Sequence, residues 1–187
     1  MRPAVLGIVV AAALALPQMA RACFQLSDAI WMCAADTAWA EATWDPYGDG
    51  ATLNLGDYLL NFTDNWPGAD IRDDLTTLEE QFATYAELTE ADGNPPVEVH
   101  SQELLELPVG KAFRSLQRDR YDDVETVSAV MLVEISAARL MIYLDGPETL
   151  DWPQIDSESR VILAALRDSC ADTTTCATPD QTKIDTE

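Results

Sequence analysis

Basic residues are scarce in this chain. Its 187 residues include 11 Lys and Arg against 33 Asp and Glu. A nucleic-acid ligand requires many cations to neutralise its phosphates, so that partner class is excluded. Histidine is scarcer still, with His100 the only one. There is no G-x-S-x-G sequence, which removes the hydrolases that carry their serine on such an elbow. A hydrolase of another type would have to use His100, Ser101 and nearby carboxylates. One imidazole also leaves few soft ligands for zinc. The four cysteines contain no C-x-x-C, and nothing near them would activate a thiolate. The N-terminal apolar run, Ala4 to Leu16, falls short of the roughly 20 residues that cross a bilayer.

What that run does form is a secretory signal. Arg2 precedes it, Pro17 breaks it, and Ala20-Arg21-Ala22 supplies an A-x-A cleavage site. Residues 1–22 are therefore expected to be removed, leaving Cys23 first in the mature chain. A lipid-anchored Cys23 is the alternative. Arg21 stands where a lipoprotein signal has a small uncharged residue and reads against it. The expected location is periplasmic or secreted. Arg2 and Arg21 are the basic residues of the signal, which holds no acid, so its loss takes the formal net charge from −22 to −24. Such a charge favours solubility and attracts basic partners or cations.

Four cysteines in an exported chain predict two structural disulfides. Three pairings are open. Closeness in sequence favours Cys23–Cys33 with Cys170–Cys176. The crossed pairings would tie the N-terminal segment to the end of the last helix.

The expected organisation is a signal peptide (1–22), a Cys- and Trp-rich segment (23–49), an α+β domain (50–170) and a C-terminal tail (171–187). Asp45-Pro46 and Gly48-Asp49-Gly50 predict a loop within 34–50. Leu53 and Leu55, then Tyr58, Leu60 and Phe62, predict a hairpin around Gly56-Asp57. From Asp73 to Ala91 the period lengthens: Leu75, Leu78, Phe82, Tyr85 and Leu88 lie on one helical face, capped by Asp73 or Asp74. Val97 to Leu107 and "KAFRSLQRDRY" predict strands. "VETVSAVMLVEI" and "RLMIYL" predict a hairpin turning at Ser136-Ala137-Ala138. Val130 to Val133 is apolar at successive positions, so the sheet there is expected to be covered on both faces. "DSESRVILAALRDS" predicts a final helix capped by Asp156 or Ser157, burying Val161, Ile162, Ala165 and Leu166. The fold class is α+β: an antiparallel sheet with helices packed on it.

Two further groups of residues are candidates for binding. In "DPYGDGATLNLG", Asp45, Asp49 and Gly50 match places in a calcium loop, but Tyr47 and Gly56 occupy places that need oxygen ligands. An irregular calcium site from Asp45, Asp49, Asp64 and Asp70 is the residual form of that idea, and no other cofactor is expected. Arg114, Arg118 and Arg120 share one strand parity and are a candidate patch for an acidic partner; the alternative is pairing with the many local carboxylates. Asn61-Phe62-Thr63 is a glycosylation sequon that would matter only in a eukaryotic secretory route.

Residues 50–168 resemble the PsbP-like sandwich of exported proteins. The resemblance rests on "LELPVGKAFR" with Leu107, Pro108 and Gly110, on the two long strands after it, and on "LDGPETLDWPQIDSESRVILAALR" with Pro147 and Ile162-Leu163. "YLLNFTDNWPG" is similar to the strand and Trp-containing loop that opens that domain. The resemblance implies a strand, L-P-x-G, strand, hairpin, Pro-containing loop and closing helix. It implies an accessory protein of the cell envelope that acts through protein–protein contact, and it supplies no catalytic residue.

Overall fold

The computed structural model describes residues 23–47, 50–63, 77–91, 96–121 and 124–168. Residues 1–22, Asp49, Asp64, Asp70, Asp73, Asp74, Leu75, Cys170, Cys176 and residues 171–187 lie outside them. Two short strands come first, β1 (Cys23–Gln25) and β2 (Ile30–Cys33). They pair antiparallel with Cys23 opposite Cys33, and a disulfide joins that pair. A single 3-10 turn, Ala38–Glu41, follows. Then come β3 (Thr43–Tyr47), β4 (Gly50–Leu55), β5 (Tyr58–Thr63), α1 (Leu78–Ala91), β6 (Glu98–Leu107), β7 (Gly110–Tyr121), β8 (Val124–Ile135), β9 (Ala138–Pro147), α2 (Trp152–Ala165) and β10 (Leu166–Asp168).

Seven strands make one antiparallel sheet in the order β3-β4-β5-β9-β8-β7-β6, and β1-β2-β10 make a second. The fold class is α+β, with α1 on one face of the large sheet and α2 on the other. Alternation assigns the faces. Val130 and Leu132 pack with Leu78 and Phe82 of α1, whereas Met131 and Val133 belong to the cluster that contains Ile155 and Ile162 of α2. The continuous apolar run in β8 thus follows from burial on both sides, as expected.

Residues 37–47 are more ordered than the loop expected there. Thr37 caps the 3-10 turn by accepting from the Trp39 amide, and Trp39 is fully buried. Asp45 and Pro46 lie inside β3, which is an edge strand, where a missing amide donor breaks no ladder bond. Asp45 and Gly50 of the calcium-loop stretch lie in the β3–β4 pairing, and Asp49, Asp64 and Asp70 of the irregular site lie outside the described residues. The Cys- and Trp-rich segment also enters the main core, where Leu26, Ile30, Met32 and Trp39 join Leu60, Met131 and Ile155. The link between this segment and the end of the last helix is made by β2 pairing with β10, not by a crossed disulfide.

Both helix starts differ from expectation. At α1 the Thr77 hydroxyl accepts from the Glu80 amide at 3.2 Å while the Glu80 carboxylate accepts from the Thr77 amide at 2.9 Å. This reciprocal capping box starts the helix at Leu78. At α2 the cap is Asp151, not Asp156 or Ser157. Asp151 and Gln154 form the box, and Pro153 sits in the first turn, where it has no amide bond to lose. Starting the helix earlier turns Ile155, Ser159, Ile162 and Leu163 inward with Ala165 and Leu166, and leaves Val161 half-buried.

Gly110 explains the L-P-x-G sequence. A Cβ there would lie 2.1 Å from the Glu134 carbonyl oxygen, so the tight β6–β7 turn at Pro108-Val109 admits only glycine after it. The β8–β9 turn is less well suited to its residues. Ser136 and Ala137 take φ of 48° and 65°, the left-handed region that strains a Cβ. Ala137→Gly is expected to stabilise the protein by about 1 kcal/mol, the cost of one such residue, read as a higher denaturation midpoint.

Candidate functional site

The α1 face of the large sheet is apolar at one end and polar at the other. The register lays out its rows. Leu104, Phe113, Leu132 and Met141 lie across β6, β7, β8 and β9; α1 covers the last three with Leu78 and Phe82 and leaves Leu104 exposed. The next row is Gln102, Ser115, Val130, Tyr143 and Asn61, and beyond it run Val99, Gln117, Ser128, Asp145 and Leu59. Asp119 and Thr126 follow. Helix α1 has 14 residues and spans about 21 Å at roughly 1.5 Å per residue. The 12-residue strands β7 and β8 span about 40 Å. The helix therefore cannot cover the whole face, and the polar rows border a cleft.

This cleft encloses about 470 Å³. Phe82, Tyr85, Ala86 and Glu90 of α1 form one wall, and Gln102, Gln117, Asp119, Val130, Tyr143 and Asp145 of the sheet form the other. Val97 and Val99 also line it and are exposed, by 37% and 46%. The cleft therefore opens to solvent beside the edge strand β6. Its size is that of a small-ligand site.

The polar groups inside are connected. The Tyr143 hydroxyl donates to the Tyr85 hydroxyl at 2.9 Å. The Ser128 hydroxyl donates to the Asp145 carboxyl at 2.7 Å and lies 3.2 Å from the Thr126 hydroxyl. The Gln117 amide nitrogen reaches both Asp119 oxygens, at 2.9 and 3.0 Å. All these donors are neutral. Burial pushes the Asp119 carboxyl above the ordinary range, against hydrogen bonds from Gln117 and Ser128. Burial also raises Asp145; Ser128 and Asn61 pull it back, and the nearby Asp119 charge raises it again. The Tyr143 phenol is raised by burial and by Tyr85. Among the described residues neither aspartate has an ion-pair partner.

The arginines expected to form one patch separate. Arg114 is 1% exposed and lies under α2. Its guanidinium donates to the Glu103 and Asp156 carboxylates, to the Ser159 hydroxyl at 2.5 Å and to the Asp156 carbonyl at 3.2 Å. That removes Arg114 from any partner surface, and the pairing alternative describes it. Arg118 lies 5.8 Å over the Trp152 ring. Arg120 is exposed and borders the cleft. His100 sits on β6 at a bulge between Val99 and Ser101, its ring stacked at 4.4 Å and 3° on Trp152. Asp45 is exposed on β3, away from these groups in the sheet order. The Cys23–Cys33 pairing is as expected and is compatible with an extracytoplasmic location.

Sequence reasoning missed the cleft carboxyls, because two aspartates among 33 acids carry no motif. A usable signal was present in the parity. Gln117 and Asp119 share a face with the buried Phe113, and Ser128 with Val130 and Leu132.

No protein-family model and no curated protein sequence matches the chain. Solved structures do. CyanoP, the cyanobacterial PsbP of Synechocystis sp. PCC 6803, is similar at 13% identity over 75% of this chain and 87% of its own, with a TM-score of 0.49. Protein PA94 of Pseudomonas aeruginosa is similar at 11% identity over 83% and 86%, with a TM-score of 0.44. LpqN of Mycobacterium tuberculosis, involved in cell envelope biogenesis, is similar at 10% identity over 75% and 83%, with a TM-score of 0.40. The sequence resemblance of residues 50–168 implied the order strand, L-P-x-G, strand, hairpin and closing helix, and this is the order of β6, β7, β8, β9 and α2.

Proposed function

We propose that this chain is an exported accessory protein of the cell envelope that works by binding another protein, with the cleft between α1 and the sheet as its binding place. One observation carries the reading: the cleft opens beside β6, a ten-residue strand that among the described residues pairs with β7 alone and exposes Val99 and Leu104. An edge strand of this length offers backbone donors and acceptors to a partner. Signal-like residues 1–22 and the Cys23–Cys33 bridge support export. No helix among the described residues is long and apolar enough to cross a membrane. The rings of His100 and Trp152 lie face to face, an arrangement that suits packing better than proton transfer.

Site-specific photo-crosslinking in the native envelope tests this. A photoreactive residue at Val99, on the cleft rim, should capture one envelope protein. The same residue at Ala164, exposed on α2 on the other side of the sheet, should not. Equal capture at both positions, or none at Val99, would contradict the reading.

A further inference from the structure

The cleft wall combines hydrocarbon, aromatic faces and three carboxyls, the exposed Glu90 and the more buried Asp119 and Asp145, with Arg120 at its border; among the described residues no ion pair reaches Asp119 or Asp145. Asp119 and Asp145 flank Ser128, whose hydroxyl has one proton to give. Gln117 and Asn61 complete their partners with neutral amides. A half-buried carboxylate with only neutral donors is costly unless a cation joins it. The arginines show that this chain can supply one. Arg114 is placed between Glu103 and Asp156, and Arg139 is paired with Glu134 at 2.5 Å. At Asp119 and Asp145 it does not. Beside them Tyr85 and Tyr143 are joined ring to ring, 6.2 Å between centroids, with Phe82 next in line at 6.2 Å from Tyr85. Aromatic faces attract cations, and Val99 and Val130 offer contact to an alkyl stem.

We infer that the cleft binds an alkylammonium group, its charge held between Asp119 and Asp145 and its stem laid against Phe82, Val99 and Val130. An anionic ligand would meet two carboxyls. A wholly apolar one would strand them. The lysine side chain of a protein partner and a free aliphatic amine share this chemistry. The inference rests on the cleft being the binding place, and it names what enters.

Calorimetry on the mature protein near pH 7.5 tests it with n-hexylamine, 1-hexanol, a short acetylated and amidated lysine peptide, and the same peptide with its lysine Nε-acetylated. Hexylamine is expected to bind at least about tenfold more tightly than hexanol, since a hydrogen-bonded charge is worth that factor or more. Asp145→Asn and Asp119→Asn, which keep the side-chain shape, should each weaken hexylamine about tenfold and leave hexanol unchanged. Their melting curves report that they are folded. Binding of the lysine peptide, lost on acetylation, supports a partner's side chain as the source. Binding of hexylamine without the peptide supports a free amine. Equal binding of hexylamine and hexanol would overturn the inference and leave the cleft as a binding site. Absence of hexylamine binding would overturn it too, and the crosslink from Val99 then reports separately whether the protein-binding reading stands.

Discussion

Arg114→Ala is expected to cost about 3 to 5 kcal/mol, the loss that follows when one partner of a buried charge cluster is removed. Arg114 is 1% exposed and joins three elements: Glu103 of β6, Asp156 and Ser159 of α2, and its own strand β7. Arg160 closes the cluster from outside, 2.9 Å from Glu103 and 3.2 Å from Asp156. Without the guanidinium, a void opens under α2, Ser159 loses its buried partner, and Arg160 alone is left to bridge Glu103 and Asp156. Arg114→Lys should recover little, because an ammonium cannot reproduce a planar fork that contacts several acceptors at once. The effect also has a pH signature. Burial alone would raise the Asp156 carboxyl, but hydrogen bonds from Arg160 and Arg114 outweigh it and hold the group below the ordinary range. A depressed carboxyl stabilises the fold above its unfolded pKa, and the benefit is lost as pH falls through the folded value. Urea titrations of wild type and Arg114→Ala should therefore converge in acid. A loss under about 1 kcal/mol at neutral pH would show that the cluster is a surface feature.

Trp39→Ala should cost a similar amount, about 3 to 5 kcal/mol, as large aromatic deletions in cores do. Trp39 is fully buried although it lies in a four-residue 3-10 turn of an N-terminal segment. Its ring meets Tyr58 at 6.5 Å, and its indole nitrogen donates to Glu158 of α2 at 3.1 Å. It thus fastens the N-terminal segment to both β5 and α2. Trp39→Phe separates the two contributions. It keeps most of the ring volume, and Glu158 remains half-exposed to water, so the loss should fall to about 1 kcal/mol, the usual net worth of one hydrogen bond. Equal losses for Ala and Phe would mean that the hydrogen bond, not the packing, holds the segment. Denaturant midpoints with a constant slope are the readout.

The large sheet was legible where patterns are local. The spacing of Leu78, Phe82 and Tyr85 placed α1, and the paired runs around Ser136-Ala137 placed the β8–β9 hairpin at its observed turn. Val130 to Val133 announced burial on both faces. The small sheet was not legible. Strands of three or four residues carry too little pattern, and β2 meets β10 across more than a hundred residues of sequence. The same distance hid the role of Arg114. Strand parity put it on a face with Arg118 and Arg120, but only the docking of α2 showed that the face is covered at Arg114 and open at Arg120. The cleft was missed because it arises from a length mismatch between α1 and the strands beneath it.

Asp119 and Asp145 have no ion-pair partner among the described residues and are the groups that a ligand cation would meet. The direct test is the stability of wild type against Asp145→Asn, measured by urea titration at pH 3 and pH 7. The folded Asp145 carboxyl is raised by burial, so the folded state holds its proton more tightly than the unfolded chain does. Its contribution is fully present below the unfolded pKa and is lost as pH rises through the folded value. Asparagine does not titrate. The wild type should therefore lose stability relative to the variant on going from pH 3 to pH 7. If it gains instead, the carboxylate is already stabilised by the protein, and no ligand cation is called for.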